Sequence, residues 1–247
     1  MQKIGKWFYQ DLPNVLSTND SVQELLQSVK SPCIVSAAVQ TKGRGRLGRT
    51  WQEASGNLFV SFAYHIDSQN VGHYALMSAL AVLNTLRSYI PRESVQIKWP
   101  NDVFVGPKKI SGILFEKSIE DFWIMGIGIN VAQTPKVQNP MYEITSLADF
   151  GVQADRLDVL QKLIAEFDAL DALYQKQGFS IIKSLWLDNA CRRDKNITVK
   201  QNGQTLTGVL YGLDDHAGLI IQTKEGLKTI YAGDIFFEDI KDNHDKF

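Results

Sequence analysis

Residues 33–64 read CIVSAAVQTKGRGRLGRTWQEASGNLFVSFAY and hold two predicted strands around a basic loop. Residues 33–39 and 58–64 are short apolar runs, which is typical of buried strands. Residues 40–51, between them, carry four cations, three glycines and no acidic residue. The glycines let the backbone turn, and the cations can hold a phosphorylated ligand. Because this loop lies inside the fold, we prefer a ligand cradle to a flexible RG-type segment that contacts nucleic acid.

The apolar pattern predicts helices and further strands on both sides of this segment. An N-cap signal at residues 17–20 begins an amphipathic helix. Apolar steps of three and four predict three more helices, over residues 73–90, 155–177 and 180–187. Pro91 is expected to stop the helix before it, and Gly178 to cap the longest one. Further strands are predicted over residues 95–99, 103–105, 113–116 and 122–131.

The pattern changes after Arg192-Arg193, where short strands alternate with turn signals. The strands are predicted over residues 197–200, 205–210, 219–222 and 227–231, with turns at Asn202-Gly203, Asp214-Asp215 and Glu225-Gly226. We therefore predict a main domain over residues 1–192 and a small β module over residues 193–247. A module of this size is short for an independent core, so it is expected to dock on the main domain.

Composition limits the classes of function. The 247 residues carry a net charge of −1, which gives the whole chain no strong attraction to nucleic acid or to an anionic membrane. No apolar run is long enough to span a bilayer, and no histidine and cysteine cluster has zinc spacing. Without a secretory signal, Cys33 and Cys191 are expected to be free thiols in a reducing cytoplasm.

Three further motifs carry polar groups whose ordinary interpretation is structural. Lys98-Trp99-Pro100-Asn101-Asp102 is by itself a strand end and a turn. Lys108-Lys109-Ile110-Ser111-Gly112 is by itself a hairpin return with two solvated lysines. Gly126-Ile127-Gly128-Ile129-Asn130 is by itself a tightly packed strand, although interior glycines often mark the close approach of a ligand or of another backbone. None of these motifs is specific alone.

Together with Ser17-Thr18-Asn19 and the loop Gly43–Arg49, these motifs resemble biotin–protein ligases in their order and rough spacing. The resemblance covers nearly the whole chain. It implies an α/β (α+β) fold, with a mixed sheet and flanking helices like those of class II aminoacyl-tRNA synthetases, followed by a small SH3-like β-barrel. It also implies that ATP, with Mg²⁺, activates biotin to biotinyl-5′-adenylate. The biotin is then transferred to one lysine of a biotin carboxyl carrier protein.

The resemblance implies roles for particular residues. Lys109, Arg44 and Asp102 are the implied catalytic residues. The implied biotin-binding residues are Ser17, Thr18, Asn19, Gln40, Gly43, Arg44, Gly45, Arg46, Lys109 and Gly112. The implied ATP-binding residues are Arg46, Arg49, Trp51, Lys98, Asn101, Asp102 and Asn130. The metal ligands are left open, and Asp102 is expected either to orient the metal or to accept a proton.

Two departures from the family pattern and three alternatives accompany this interpretation. The Ser-Thr-Asn motif begins at Ser17, so we expect a ligase without the DNA-binding half of the repressor-type members. Leu47 stands where some relatives have another basic residue, which is expected to weaken retention of the adenylate. The alternatives are a lipoate–protein ligase, a nucleic-acid-binding module and a biotin sensor without catalysis. No membrane partner is expected, and a homodimer is left open.

Overall fold

The computed structural model describes residues 1–201, 204–231 and 233–236. The helices of these residues are α1 (Thr18–Val29), α2 (Val71–Leu86), α3 (Arg156–Gln177) and α4 (Phe179–Leu187). The strands of the larger sheet are β1 (Gln2–Ile4), β2 (Trp7–Val15), β3 (Cys33–Gln40), β6 (Leu58–His65), β7 (Val95–Lys98), β8 (Asp102–Val105), β9 (Lys108–Lys117) and β10 (Phe122–Ile129). Between β3 and β6, the strands β4 (Gly43–Arg44) and β5 (Thr50–Trp51) form a separate small hairpin.

The larger sheet is mixed and lies between helices. Its order is β1-β2-β3-β6-β10-β9-β8-β7, and only the β2–β3 pair among these neighbours is parallel. The crossover between these two strands is α1, because parallel neighbours need a long connection. Successive residues of β3 point to opposite faces, so Ile34 joins the core with α2 and α3 whereas Cys33 and Val35 pack against α1. The predicted mixed sheet with flanking helices is thereby confirmed.

The predicted elements are present, but one helix is shorter than predicted and five strands were not predicted: β1, β2, β4, β5 and a last strand at Asp234–Phe236. The helix predicted over residues 73–90 ends at Leu86, and Pro91 is not what stops it. After Leu86 the chain continues in hydrogen-bonded turns, and Ile90 is still buried. Because Ile90 keeps the apolar spacing of the helix, the sequence pattern placed the end of the helix too late. Pro13, which has no N–H, interrupts the pairing of β2 with β3. A proline within a run of residues argues against a strand, so the sequence pattern did not indicate β2.

The C-terminal strands form an antiparallel sheet that docks on the main domain. They are β11 (Asn196–Gln201), β12 (Gln204–Leu213), β13 (Leu219–Thr223), β14 (Gly226–Ile230) and β15 (Asp234–Phe236), in the order β14-β13-β12-β11-β15. Docking is visible where Trp99 Nε1 donates to the carbonyl of Ala217 at 3.3 Å and where a ring nitrogen of His73 lies 2.7 Å from the carbonyl of Asp215. The predicted turn at Asn202-Gly203 lies outside the described residues, and the boundary after residue 192 stays a prediction.

The structure also bears on two predictions, about membrane-spanning helices and about the cysteines. Among the described residues, none of the helices combines the length and the apolar character needed to cross a membrane. Cys33 and Cys191 are free and buried. Burial raises the pKa of both thiols to about 12, so both are protonated at neutral pH.

Candidate active site

The sequence motifs converge on a cavity of about 180 Å³. It is bounded by the start of α1, the loop between β3 and β6, the ends of β7 and β8, and the middle of β9 and β10. All the residues for which the sequence predicts a catalytic or binding role line it, except Gly43. A Cβ at Gly43 would lie 2.5 Å from the carbonyl of Trp51 and 2.7 Å from the amide of Gln40, so this glycine lets the base of the loop pack against Gln40.

One side of the cavity is a buried polar floor at the start of α1. The Gln40 side-chain oxygen accepts from the backbone N–H of Thr18 at 2.8 Å and from its hydroxyl at 3.0 Å. Ser61 Oγ lies within hydrogen-bond distance of Thr18 Oγ1 and of Asn19 Oδ1. Ser17 is buried at the N-cap and makes no side-chain capping bond. These groups form a fixed surface of donors and acceptors, which suits a small polar ring.

A second wall, which adjoins this floor, is formed by glycines on paired strands, with Trp51 lying over them. Gly112 of β9 and Gly128 of β10 are direct partners across the sheet. A Cβ at Gly128 would lie 2.4 Å from the indole of Trp51, and one at Gly112 would lie 2.9 Å from it. Gly126 in the same strand admits the amide of Asn19, which a Cβ would meet at 2.3 Å. The interior glycines therefore mark close approaches, as the sequence analysis predicted.

Lys109 and Asp102 form an ion pair inside the cavity. Lys109 Nζ lies 2.7 Å from Asp102 Oδ1, and about a quarter or less of each side chain is exposed. The ammonium also lies 5.6 Å from the centre of a Trp51 ring. Backbone bonds hold Lys109 on both sides, since its N–H donates to Glu143 and its carbonyl accepts from Thr145. The cation is thus held in place by groups of the protein itself.

Lys98 is a second cation at the cavity, and it is almost completely buried. Its ammonium donates to the hydroxyl of Tyr142 at 2.8 Å and lies 4.1 Å from the centre of that ring. The pKa of Lys98 is lowered to about 8, mainly because the side chain is buried; the charge of Asp102 opposes this shift, and the charge of Lys109 adds to it. Near neutral pH, Lys98 is therefore a desolvated cation that is close to losing its proton.

The two asparagines of the predicted nucleotide site are held by backbone groups. Asn101 donates to the carbonyl of Ile113, and Asn130 donates to the carbonyl of Thr145 at 3.0 Å. Asn57 supports the same region, because its side-chain oxygen accepts three successive backbone N–H groups after Asn130. These amides fix the strand ends that form the cavity edge.

The basic loop is a short hairpin whose tip turns through a left-handed conformation. Leu47, with φ of +56°, and Gly48, with φ of +74°, form this tip. The Leu47 side chain is 78% exposed. It therefore makes little contact with the cavity, and its predicted effect on adenylate retention stays a prediction.

The arginines of the loop are held by groups from elsewhere in the chain. Arg44 pairs with Asp20 and Glu116, and these hydrogen bonds raise the pKa of Arg44. Its guanidinium is thus engaged by carboxylates, and its predicted contact with biotin stays a prediction. Arg46 donates to Asn101 Oδ1 at 3.2 Å and to the carbonyl of Gly233 at 3.3 Å.

Arg49 ties the loop to the C-terminal module through Asp234 of β15. Burial alone would raise the pKa of Asp234, but the hydrogen bond and the charge of Arg49 outweigh it and hold this pKa below its ordinary value. The same hydrogen bond raises the pKa of Arg49. The two groups therefore stay ionised at neutral pH.

Sequence reasoning missed several groups around the cavity. The missed partners of the predicted residues are Asp20, Glu116, Tyr142 and Asp234. The segment from Pro135 to Ile144 also lines the cavity but has no regular periodicity. In the described part of the chain, no group of three or more His, Cys, Asp or Glu side chains could hold a metal ion. Asp102, for which the roles of orienting a metal and of accepting a proton were left open, forms an ion pair with Lys109.

Comparison with known proteins connects this geometry to a family. Residues 12–130 match the Biotin/lipoate A/B protein ligase family, and residues 194–238 match the Biotin protein ligase C terminal domain. The bifunctional ligase/repressor BirA of Bacillus spizizenii is 34% identical over 238 residues, which cover 92% of this chain and 72% of that protein. A biotin–[acetyl-CoA-carboxylase] ligase of Paracoccus denitrificans is 28% identical, over 90% of this chain and 97% of that protein.

The fold is also similar to a solved structure. The biotin protein ligase from Aquifex aeolicus in complex with biotin and ATP superposes with a TM-score of 0.81 at 31% identity, covering 94% of this chain and 98% of that one. The similarity therefore extends through both the main domain and the C-terminal module. On these matches, the chain belongs to the biotin/lipoate A/B protein ligase family and has the C-terminal domain of the biotin protein ligases.

Proposed function

We propose that this protein is an ATP-dependent biotin–protein ligase. It would activate biotin to biotinyl-5′-adenylate and transfer it to the ε-amine of one lysine on a biotin carboxyl carrier domain. The observation that carries the proposal is a single cavity in which the Lys109–Asp102 ion pair and the polar floor at Thr18 and Gln40 face shared space. Its membership of a family whose solved member binds biotin and ATP supports the same conclusion.

The polar floor is where we place the ureido ring of biotin. A ureido group offers two N–H donors and one carbonyl acceptor, so it needs both acceptors and donors in fixed positions. Ser17, Thr18, Asn19 and Gln40 provide such groups in a buried setting. A site of this kind rejects analogues that lack the ring, because its buried polar groups would be left unpaired.

ATP would bind on the other side of Lys109, between the loop and the strand ends. Trp51 offers a flat ring to the adenine. Lys98, Arg46 and Arg49 supply cations to the phosphates, and Asn101 and Asn130 shape the edge of the site. Mg²⁺ would enter as part of the MgATP substrate, held mainly by phosphate oxygens, since the described residues offer no cluster of metal ligands.

The proposed chemistry brings two anions together and therefore depends on fixed positive charge. In the first step the biotin carboxylate attacks the α-phosphorus of ATP, and pyrophosphate leaves. Lys109, held by Asp102, would neutralise the charge that builds up between carboxylate and phosphate. In the second step the carrier lysine attacks the acyl carbonyl, and AMP leaves. The wall of glycines and Trp51 would help to keep water away from the adenylate.

The test uses the purified protein with MgATP, biotin and a biotin carboxyl carrier domain. Mass spectrometry is expected to show one added biotinyl group on one lysine, with the release of AMP and pyrophosphate. The matched control replaces the carrier lysine with arginine, which keeps the charge and removes the nucleophile. Absence of label on the lysine-bearing carrier, in a protein that is folded by circular dichroism, would contradict the proposal.

A thermal-shift comparison separates biotin from lipoate, the substrate of the nearest alternative enzyme. A ligand that binds the native state raises the melting temperature in proportion to RT ln(1+[L]/Kd). We expect biotin to raise it and lipoate at the same concentration to leave it unchanged. The reverse order would make this chain a lipoate ligase. A cytoplasmic setting fits this proposal, because the first step consumes ATP and the second uses a carrier protein, and both are made in that compartment.

A further inference from the structure

Arg44 is held by two carboxylates that come from different elements, an arrangement that we call the Arg44 clasp. Its two guanidinium NH₂ groups donate to the two oxygens of Asp20, on α1, at 2.9 and 2.7 Å. One of them also donates to Glu116 Oε2, on β9, at 3.1 Å. The basic loop contains no acid of its own, so carboxylates from other elements balance the charge of Arg44. A bidentate pair that shares a third charge is stronger than an isolated surface pair.

Glu116 also contacts the polar floor. The oxygen that accepts from Arg44 also accepts from Asn19 Nδ2 at 2.6 Å. Asn19 has little freedom, because its amide oxygen lies against Ser61 and in the space left by Gly126. One carboxylate therefore joins the loop that borders the cavity to the floor where we place the biotin ring.

On this side, backbone hydrogen bonds hold only the base of the loop. Thr41 and Lys42 donate to the chain before α1, and Gly45 donates to the carbonyl of Arg49 at 2.7 Å across the tip. The hairpin of β4 and β5 pairs only with itself among the described strands. Side-chain contacts must therefore determine whether the loop packs against the polar floor. At Arg44, those contacts are Asp20 and Glu116.

We infer that Glu116 is a positioning residue that couples occupation of the polar floor to closure of the basic loop, acting through Arg44. The inference rests on the proposed function, because it concerns how long biotin and its adenylate stay in the cavity. A ligand on the polar floor lies against Asn19, whose amide donates to Glu116, and Glu116 in turn accepts from the guanidinium of Arg44 in the loop. Removal of the carboxylate charge should then open the loop and shorten the residence time.

An opposite role for the same contacts is that the carboxylates compete with the anionic substrate for Arg44. The two roles predict opposite signs. If the carboxylates compete, then Glu116→Gln frees the guanidinium, and biotin and adenylate leave more slowly. If they form a clasp, Glu116→Gln makes both leave faster, by about fivefold for a partly exposed charged hydrogen bond.

The experiment measures the dissociation rate of radiolabelled biotin by chase, and the release of preformed biotinyl-adenylate, on the full chain. The variants are Glu116→Gln and Asp20→Asn, which lie on different elements, and Glu225→Gln serves as the matched control on the far β13–β14 turn. Both clasp variants are expected to release the ligands about fivefold faster, and the control is expected to match the parent. Unchanged or slower release in both clasp variants overturns the inference.

A double-mutant cycle separates the clasp from a direct effect on Asn19. Glu116→Gln is repeated in an Arg44→Ala background, where the clasp is already absent. Most of the acceleration should disappear if Glu116 acts through Arg44. An equal acceleration in both backgrounds would mean that Glu116 acts on Asn19 alone, and would overturn the inference. If the parent protein binds no biotin, the proposed function fails and the clasp fails with it, whereas parent binding with unaltered variants overturns the clasp alone.

Discussion

The two halves of the cavity are held in different ways. The strand-borne half, formed by Lys98, Asp102, Lys109 and the glycines of β9 and β10, is fixed by backbone pairing within the large sheet. The loop-borne half, formed by Arg44, Arg46 and Arg49, is held by side-chain contacts to α1, β9, the β7–β8 turn and the C-terminal module. The first half is ordered with the sheet itself, whereas the second depends on contacts that are partly exposed.

This difference separates chemistry from retention. Groups fixed by a sheet are preorganised, so they can stabilise charge without reorganisation at the moment of reaction. Groups held by partly exposed ion pairs can open and close at low cost, which suits substrate entry and the exposure of the adenylate to a carrier lysine. Variants in the strand-borne half should therefore lower the rate of adenylation most. Variants in the loop-borne half should mainly change affinity and residence time.

The largest effect is expected for Lys109→Ala. Loss of a preorganised cation should lower the rate of adenylation by about 10²–10³, measured as pyrophosphate release at saturating MgATP and biotin. The neighbouring Lys108→Ala is the matched control, because Lys108 pairs with Glu143 at the surface. A near-normal rate in a folded Lys109→Ala protein would contradict the proposal that the strand-borne half stabilises charge during adenylation.

The second prediction concerns pH and Lys98. Because burial lowers the pKa of Lys98 to about 8, its ammonium is charged below that pH and neutral above it. For adenylation, kcat/KM for ATP should therefore fall by about tenfold per pH unit above 8. Lys98→Arg keeps its charge in this range and should flatten the alkaline limb.

Unfolding would not explain such a fall. A lysine whose folded pKa lies below its ordinary value binds fewer protons in the native state than in the unfolded state. Its contribution to stability therefore rises between about pH 8 and the ordinary lysine pKa. A melting temperature that drops in step with activity over this range would contradict the role given to Lys98.

A smaller effect is expected for Gly128→Ala, which tests the contact between the two halves. The added methyl would meet the Trp51 indole at 2.4 Å and must displace it. Overpacking of this kind should raise the KM for ATP by about fivefold while the fold is kept. The control is Gly212→Ala, where an added Cβ meets nothing within 4 Å. Equal KM values for the two variants would show that Trp51 does not hold the nucleotide.

The smallest effect is expected for Asp234→Asn, which weakens the tie between Arg49 and the C-terminal module. A partly exposed ion pair should change the KM for ATP by about threefold, with kcat little changed. Asp215→Asn in the same module is the control, because the Asp215 side chain is 93% exposed and pairs only with Lys183 among the described residues. A large loss of kcat would mean that the loop-borne half takes part in the chemistry itself.

The site could be predicted from sequence where its residues are close along the chain. Lys98 and Asp102 are direct partners across the β7–β8 hairpin, and Asp102 pairs with Gly112 in the next strand. Strand pairing over such short separations follows from turn and alternation signals in the sequence. The motif therefore also predicts which of its residues lie side by side in the sheet. The identities of Trp51 and of the glycines beneath it were likewise written in the sequence. The contact between Trp51 and these glycines could not be predicted, because it joins a loop to the interior of two strands.

The sequence by itself determined most of the elements and their order, the basic loop between two strands, and the cations and glycines of the cavity. Only the tertiary structure decided which acids meet those cations. Asp20, Glu116 and Asp234 lie 24, 72 and 185 residues from their arginine partners, and each is an ordinary surface acid in its local pattern. Local periodicity records which face of an element is buried. It carries no information about which distant element supplies the opposite charge, because that depends on how the whole chain packs.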